Sequence, residues 1–485
     1  MRILWVIGIL AVAAAGCAVG PDYRRPAPLP AQTTPTTFTN GDSQDVLWKT
    51  AQPAANQPRG EWWRIFNDPE LDQLEALSLT NNQDLVAAAA RFEQARDLVT
   101  EARSELYPQL NAGGTPYGDI TRQRTSRNQP LAGTAAGVTH TYDTFTAPIY
   151  LGWEVDLWGR VRRLSEAARA RYAASADDLE SGRLAVAAEV ANDYFALKTL
   201  DDEYDLVSNT IAAYRRSLEL TQNRRHGGIV SDLDVAQAAT QLHAAEAQLP
   251  DLRLRRAQTQ HALAVLCGQS AVEFEVATNG PRTLAVPEIP PGLPGELLEH
   301  RPDIAAAERR MAAANADVGV AKAAFFPAIK INGVAGLQSV SAGSLFEWPS
   351  RFWSVGPNIE LPVFTGGLNR ANLARTRAAY DETLANYRQT VLAAFGEVED
   401  TLAAQAWLAE EWNAENEAVA AARHAQEIAE NRYKAGLVTY LDVATAQTLA
   451  LEQERTAVEL YGARLAASVN LIKALGSGWT DVATR

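Results

Sequence analysis

Cysteine is nearly absent: the 485 residues hold two, Cys17 and Cys267. No disulfide framework can staple such a fold, and no Cys-rich metal site can form. Cys267 follows the apolar run that starts at Leu263 and reads as an inert core residue. Histidine is scarce too, and none of the six (His140, His226, His243, His261, His300, His424) stands at a ligand spacing from another. There is no nucleophile elbow, phosphate-binding loop or dinucleotide fingerprint. Acid pairs such as Asp177-Asp178, Asp201-Asp202 and Glu410-Glu411 read as solvated helix faces. The expectation is a protein that is not an enzyme and holds neither metal nor dissociable cofactor.

Excess basic charge is also missing. With 44 Lys and Arg against 58 Asp and Glu, the net charge is -14, which argues against a nucleic-acid partner. After residue 16 no apolar run reaches the roughly 18 residues of a transmembrane helix. If this chain crosses a membrane, strands must do it.

What the chain does have is a copy of itself. Residues 223 to 240, NRRHGGIVSDLDVAQAAT, return 208 positions later as NRYKAGLVTYLDVATAQT, identical at ten of eighteen positions. Arg169/Arg377, Tyr172/Tyr380, Glu189/Glu397 and Val190/Val398 agree at the same offset. Asp84–Arg91 matches Asp303–Arg310 at offset 219, so the first copy carries eleven extra residues between Pro108 and Tyr172. Halves of this length predict a pseudo-symmetric object, and rings are their usual use.

At the start, Arg2 precedes an apolar core from Ile3 to Val12 and then small residues, the layout of a signal peptide over 1–16. The segment ends Ala14-Ala15-Gly16-Cys17. From 17 to 60 the chain is rich in Pro, Thr and Gln and reads as an extended arm lying on another surface. Repeat 1 then covers 61–269, a Pro-rich crossover 270–300, repeat 2 301–476 and a tail 477–485. Asp68-Pro69-Glu70 opens a helix with proline at its first position, and a second helix runs from about Asn82 to Leu106, before Pro108.

Strands are expected over about 109–122 and 141–157, and again over 328–340 and 352–364. Ile149, Leu151, Trp153, Val155 and Leu157 alternate with Tyr150, Gly152, Glu154 and Asp156, so one face is apolar and the other wet. Trp353, Val355, Pro357, Ile359 and Leu361 repeat the apolar face. Trp153, Trp158, Trp348 and Trp353 fall where membrane barrels place aromatic girdles. Trp62, Trp63, Trp407 and Trp412 read as core or helix-seam residues. Polar loops around 122–137 and 341–350 join the strands and are expected outside the cell.

Each hairpin is followed by a long helix, about 159–226 and 367–434, on the order of 100 Å at 1.5 Å per residue. Each stops at glycine, Gly228 and Gly436, and a return helix follows over about 232–266 and 441–475. Ser231 with Asp234 and Thr439 with Asp442 read as capping boxes. Arg224 and Arg432 complement the dipoles at the ends of their helices.

Four strands cannot close a barrel, and no sheet edge survives in lipid. The chain must oligomerise. Two copies would give eight strands and a filled lumen, three would give twelve and an open one.

The duplicated order of helix, strand hairpin, long helix and return helix resembles the TolC-type outer-membrane factor family. Arg301-Pro302-Asp303-Ile304, Phe325-Phe326-Pro327, the run Leu361–Gly367, and Tyr433-Lys434-Ala435-Gly436 followed by Leu441-Asp442-Val443 are similar to its recurrent motifs. Cys17-Ala18-Val19-Gly20-Pro21-Asp22-Tyr23 resembles the start of its lipoprotein branch, which serves multidrug efflux. The resemblance implies a mainly α fold with a transmembrane β part: a homotrimer whose twelve-stranded outer-membrane barrel is continued by a periplasmic α-helical barrel. It also implies a lipid on Cys17, although Ala14 stands where the usual lipobox has Leu, and sorting to the outer membrane through Ala18. The implied partners are a periplasmic adaptor (membrane-fusion) protein, a proton-driven inner-membrane pump and outer-membrane lipid. Carried over residue by residue, Asp234 and Tyr433 match a gate-bonding pair and Asp442 an acidic ring at the constriction. The helix-turn tip, with Gly228, Gly436, Arg224 and Arg432, would be the adaptor-binding end. Thr445 and Val438 replace a second ring acid and a gate arginine. Protein secretion, and a lipid-anchored coiled-coil scaffold or adhesin, are the alternatives.

Overall fold

A computed structural model describes residues 18–29, 60–113, 119–124, 141–278, 285–287, 289 and 300–476. The signal segment, Cys17, most of the arm, most of the loop at 122–137, most of the crossover and the tail lie outside the described residues. The chain divides into two compact units: Met1–Pro26, Phe92–Ser175 and Ala307–Tyr387 form the first, and Ala27–Arg91, Ala176–Ala306 and Arg388–Arg485 the second. Both units draw segments from both repeats.

The elements recur as the duplication requires. They are α1 (Pro69–Asn81), α2 (Gln83–Ser104), β1 (Gln109–Ala112), β2 (Asp119–Arg124), β3 (Thr141–Glu154), α3 (Arg160–His226), α4 (Asp232–Glu246) and α5 (Gln248–Leu266). Then follow α6 (Pro302–Ala323), β4 (Ala328–Ser339), β5 (Arg351–Glu360), α7 (Leu368–Lys434) and α8 (Tyr440–Ala474). The helices α2 and α6 have 22 residues each, and α3 and α7 have 67 each. No helix among the described residues is long and apolar enough to cross a membrane.

In the first unit the strands form one antiparallel sheet in the order β1-β3-β4-β5, with β2 on the same edge of β3 as β1. The strand expected over 109–122 is thus two pieces. Ala112 faces Ile149 and Gly113 N–H donates to the Pro148 carbonyl at 2.9 Å, whereas Asp119 faces Thr146, so the two pieces pair with β3 in different registers. The last strand stops at Glu360 rather than 364, just before Pro362. Pro357 sits inside β5, which is an edge strand and can carry it.

Register puts the apolar residues on one face. Leu110, Leu151, Gly333 and Val355 form one cross-strand row, and Ala112, Ile149, Ala335 and Trp353 the next. On the other face Gln109, Gly152, Asn332 and Gly356 align. The apolar face is uncovered in the single chain: Trp353 is 77 % exposed and Leu110 70 %.

Residues 18–26 of the arm belong to the first unit. Val19 N–H donates to the Trp158 carbonyl at 2.9 Å, Asn315 Nδ2 to the Pro21 carbonyl at 3.0 Å, and Tyr23 Oη to Glu308 at 3.1 Å. Arg163 pairs with Asp22 at 2.8 Å.

The second unit is helical. Its main core joins Trp62, Trp63, Phe66, Leu71, Tyr194, Phe195, Leu263, Cys267, Val469 and Ile472, so Trp62, Trp63 and Cys267 are core residues as expected. Trp407, by contrast, is 63 % exposed in the chain. Asp68 caps α1, accepting from Glu70 N–H at 2.9 Å, and takes the Tyr194 hydroxyl at 2.6 Å. The return helix expected over 232–266 breaks at Ala247. Pro250, three residues on, cannot donate to the Glu246 carbonyl and crowds it.

Candidate functional site

Both long helices of the second unit end in the same motif. Ile229 N–H returns to the Arg224 carbonyl at 2.9 Å and Gly228 N–H to Arg225 at 3.0 Å; Leu437 returns to Arg432 and Gly436 to Tyr433, both at 2.9 Å. This Schellman geometry needs a left-handed residue at its turn, and Gly228 and Gly436 supply it at φ +70° and +73°. Two residues later a capping box starts each return helix. Ser231 N–H and Oγ both donate to Asp234 Oδ2, at 2.9 and 2.6 Å. Thr439 N–H and Oγ1 both donate to Asp442 Oδ2, at 3.0 and 2.8 Å. The Ser231 hydroxyl bond, above all, holds the Asp234 carboxyl below the usual carboxylate range.

The two turns differ at a matched pair of positions. In repeat 1 Arg225 clasps Asp232 with two hydrogen bonds, at 2.6 and 3.0 Å. In repeat 2 the equivalent residues, 208 further on, are Tyr433 and Tyr440. Their rings meet edge to face with centroids 5.5 Å apart. They are 4 % and 0 % exposed and form a small core with Ala238 and Val443.

Arg224 joins the turns. It lies in the last turn of α3, but its guanidinium leaves its own helix and donates to the carbonyls of Tyr433, at 2.6 Å, and Lys434. It also sits 4.9 Å from the Tyr433 ring centroid. The cation therefore neutralises the carbonyl end of α7 rather than that of α3, the reverse of the sequence expectation. Among the described residues the side chain of Arg432, its repeat partner, has no hydrogen-bond or ion-pair partner and is exposed.

Within one chain the expected pair of Asp234 and Tyr433 does not bond. Burial turns the Tyr433 hydroxyl to Thr221 Oγ1 at 3.3 Å, while Asp234 Oδ1 accepts from Tyr440 N–H at 3.4 Å. Asp442 is exposed and engaged in its cap. Sequence reasoning passed over Thr221 and Tyr440. The signal was the paired difference at 225/433 and 232/440, which aligning the repeats displays. Cys17 lies outside the described residues. No group of three or more His, Cys, Asp or Glu able to hold a metal occurs among the described residues.

The model of the family described as outer membrane efflux protein matches residues 75–269 and 293–477. The chain belongs to that family. It is 36% identical over 482 residues, 98% of this chain, to the probable efflux pump outer membrane protein SepC of Pseudomonas putida, of which 97% is covered. It is 34% identical over 475 residues to the outer membrane protein OprJ of Pseudomonas aeruginosa, covering 98% of this chain and 95% of that one. The structure of the outer-membrane channel OprN superposes with a TM-score of 0.84 at 30% identity, over 96% of this chain and all of that one. The turns described above thus belong to an outer-membrane efflux channel.

Proposed function

We propose that three copies of this chain form a twelve-stranded barrel in the outer membrane and a helical duct in the periplasm, through which small molecules delivered by a pump leave the cell. The observation that carries the reading is the sheet. Its lanes are long enough to cross a bilayer when tilted, one face is apolar row by row, and among the described residues both edges are unpaired. In lipid such edges must close on further copies. Two copies would leave no open lumen; three would.

The turns holding Arg224, Tyr433, Asp234 and Asp442 form the periplasmic gate of this duct and the end that meets a periplasmic adaptor. A proton-driven inner-membrane pump completes the assembly. Asp442, exposed in each chain, contributes a ring of three carboxylates, and Cys17 carries a lipid that anchors the protein beside its barrel. Relatives named for efflux pumps favour small molecules over secreted proteins.

The test is a deletion strain complemented with the wild-type gene. Loss should raise susceptibility to hydrophobic antibiotics or solvents and leave the exported proteins unchanged. Unchanged susceptibility together with a missing exported protein would favour the secretion reading instead.

A further inference from the structure

The loop that joins β4 to β5, at the end of that hairpin away from α6 and α7, is short and closely tied. Ser339 Oγ shares a 2.8 Å hydrogen bond with Ser344 Oγ and accepts from Ser341 N–H at 3.2 Å, and Ser350 Oγ donates to the Ser344 carbonyl at 2.6 Å. Leu345 is tucked in at 6 % exposure, yet the loop holds out Phe346 and Trp348, which are 82 % and 75 % exposed. Neighbouring rings held open to water on a fixed loop mark a surface that meets something apolar.

Arg351, the first residue of β5, adds a cation to that surface. Its Nε donates to the Trp348 carbonyl at 2.9 Å, and its guanidinium lies over the Trp348 ring. Its terminal nitrogens have no partner among the described residues, although the exposed Glu347 stands only four positions back. The open side of the fork is therefore free for an anion.

Register fixes the side on which this cation stands. Arg351 pairs with Leu337 and Leu337 with Ala147; the next row is Trp353, Ala335 and Ile149, and the one after it Val355, Gly333 and Leu151. Arg351 thus belongs to the apolar face, one row beyond Trp353 and about 7 Å further along the strand. In the rows from Pro357 out to Arg351 it is the one charge on that face. A lipid-facing arginine is costly at the bilayer midplane and nearly free of cost at its interface. With Trp353 in the aromatic girdle, Arg351 lies at the level of the headgroups.

The geometry points to a binding site for lipid A, the phosphorylated glycolipid of the outer leaflet. Arg351 takes a headgroup phosphate through the open side of its guanidinium, and Trp348 and Phe346 lie against the sugar and the roots of the acyl chains. This rests on the outer-membrane reading above. Charge complementarity and the continuous apolar face below Arg351 select this occupant. The loop of a neighbouring copy, reaching across the mouth of the barrel, would instead meet the opposite face, that of Ser354 and Gly356.

Native mass spectrometry of the full-length protein, extracted from outer membranes and titrated with lipid in mild detergent, tests this. Wild type should retain about one lipid A per chain and prefer it about tenfold over lipid A stripped of its phosphates, the worth of one charge-assisted hydrogen bond at an exposed site. Arg351→Gln should lose that preference, and Arg351→Lys should keep part of it. Phe346→Ser with Trp348→Ser should weaken both lipids alike and leave the preference standing. All three positions are exposed, so assembly should survive, and the mass of the complex in the same spectrum checks it. Equal retention of both lipid forms by the assembled wild type, or an undiminished preference in Arg351→Gln, would overturn the site while leaving the channel reading intact. A stronger preference for phosphatidylglycerol than for lipid A, lost in Arg351→Gln, would put a phospholipid there and overturn the assignment to the glycolipid. Absence of the protein from outer membranes would overturn the reading on which the site rests.

Discussion

Replacing Arg224 with Gln removes a cation that spans two helices, and the loss can be sized. Two hydrogen bonds run from the guanidinium to the carbonyls of Tyr433 and Lys434. A hydrogen bond to a charged group contributes about 1.5–3 kcal/mol net. Here the carbonyl of Tyr433 already accepts from Gly436 at 2.9 Å and the site is partly solvated, so about 2 kcal/mol for the whole staple is the fitting figure. At about 1.4 kcal/mol per decade that is roughly a 30-fold shift in local opening. Hydrogen exchange resolved by mass spectrometry is the assay. The amides of Gly436 and Leu437, whose acceptors lie in the stapled turn, should exchange roughly 30-fold faster in Arg224→Gln. Those of Gly228 and Ile229, in the other turn, should hold their rate and serve as the internal control. Arg224→Lys keeps the charge but not the fork and should fall between. Equal acceleration in both turns, or none in either, would refute the staple.

Tyr433→Phe should be mild, about 1 kcal/mol at most, because its hydroxyl meets only Thr221 at 3.3 Å; thermal melts of the assembled protein check it, and Tyr433→Ala should be far worse through the emptied core. Asp442→Asn should lower cation preference and block by multivalent cations in planar bilayers, once assembly of the variant is confirmed; an unchanged selectivity would leave Asp442 only its cap. Glu75 sits in the main core of the second unit with neither carboxylate oxygen bonded, and burial, then the Asp72 charge, push its pKa from 4.5 up to about 9. The folded state thus keeps a proton that the unfolded state has released, so stability should fall as pH rises from about 4.5 to about 9, by at most about 1.4 kcal/mol per pH unit from this group. Melting of Glu75→Gln should lose that slope and gain stability at pH above 8, and an unaltered slope would show that Glu75 ionises freely in the fold.

Much of the architecture was readable because duplication doubles every signal. Gly228 and Gly436 mark helix ends by the same left-handed turn, and Ser231–Asp234 and Thr439–Asp442 mark starts by the same box, so bounds held to within a residue or two there. The errors came where the expected element ran straight through its own breakers. The expectation of one strand over 109–122 runs through Gly113, Gly114, Pro116 and Gly118, three glycines and a proline within six residues. Pro250 breaks a helix from its third position onward, where a periodic pattern runs through undisturbed. At the tip, the residue types were legible but their partners were not. Arg224 could be assigned to a helix end from its position, yet which helix end depends on how two hairpins meet. Tyr433 looked like a donor to a carboxylate; the neighbouring Tyr440 and Ala238 bury it, and its hydroxyl takes the nearest acceptor inside that core.

The central claim is that a sheet of four lanes closes only when three chains share it. Native mass spectrometry of protein extracted from outer membranes in mild detergent measures that directly. The expected result is a complex of three chains, each heavier than its polypeptide from Cys17 onward by the mass of its acyl groups. A stable complex of one or two chains would contradict it.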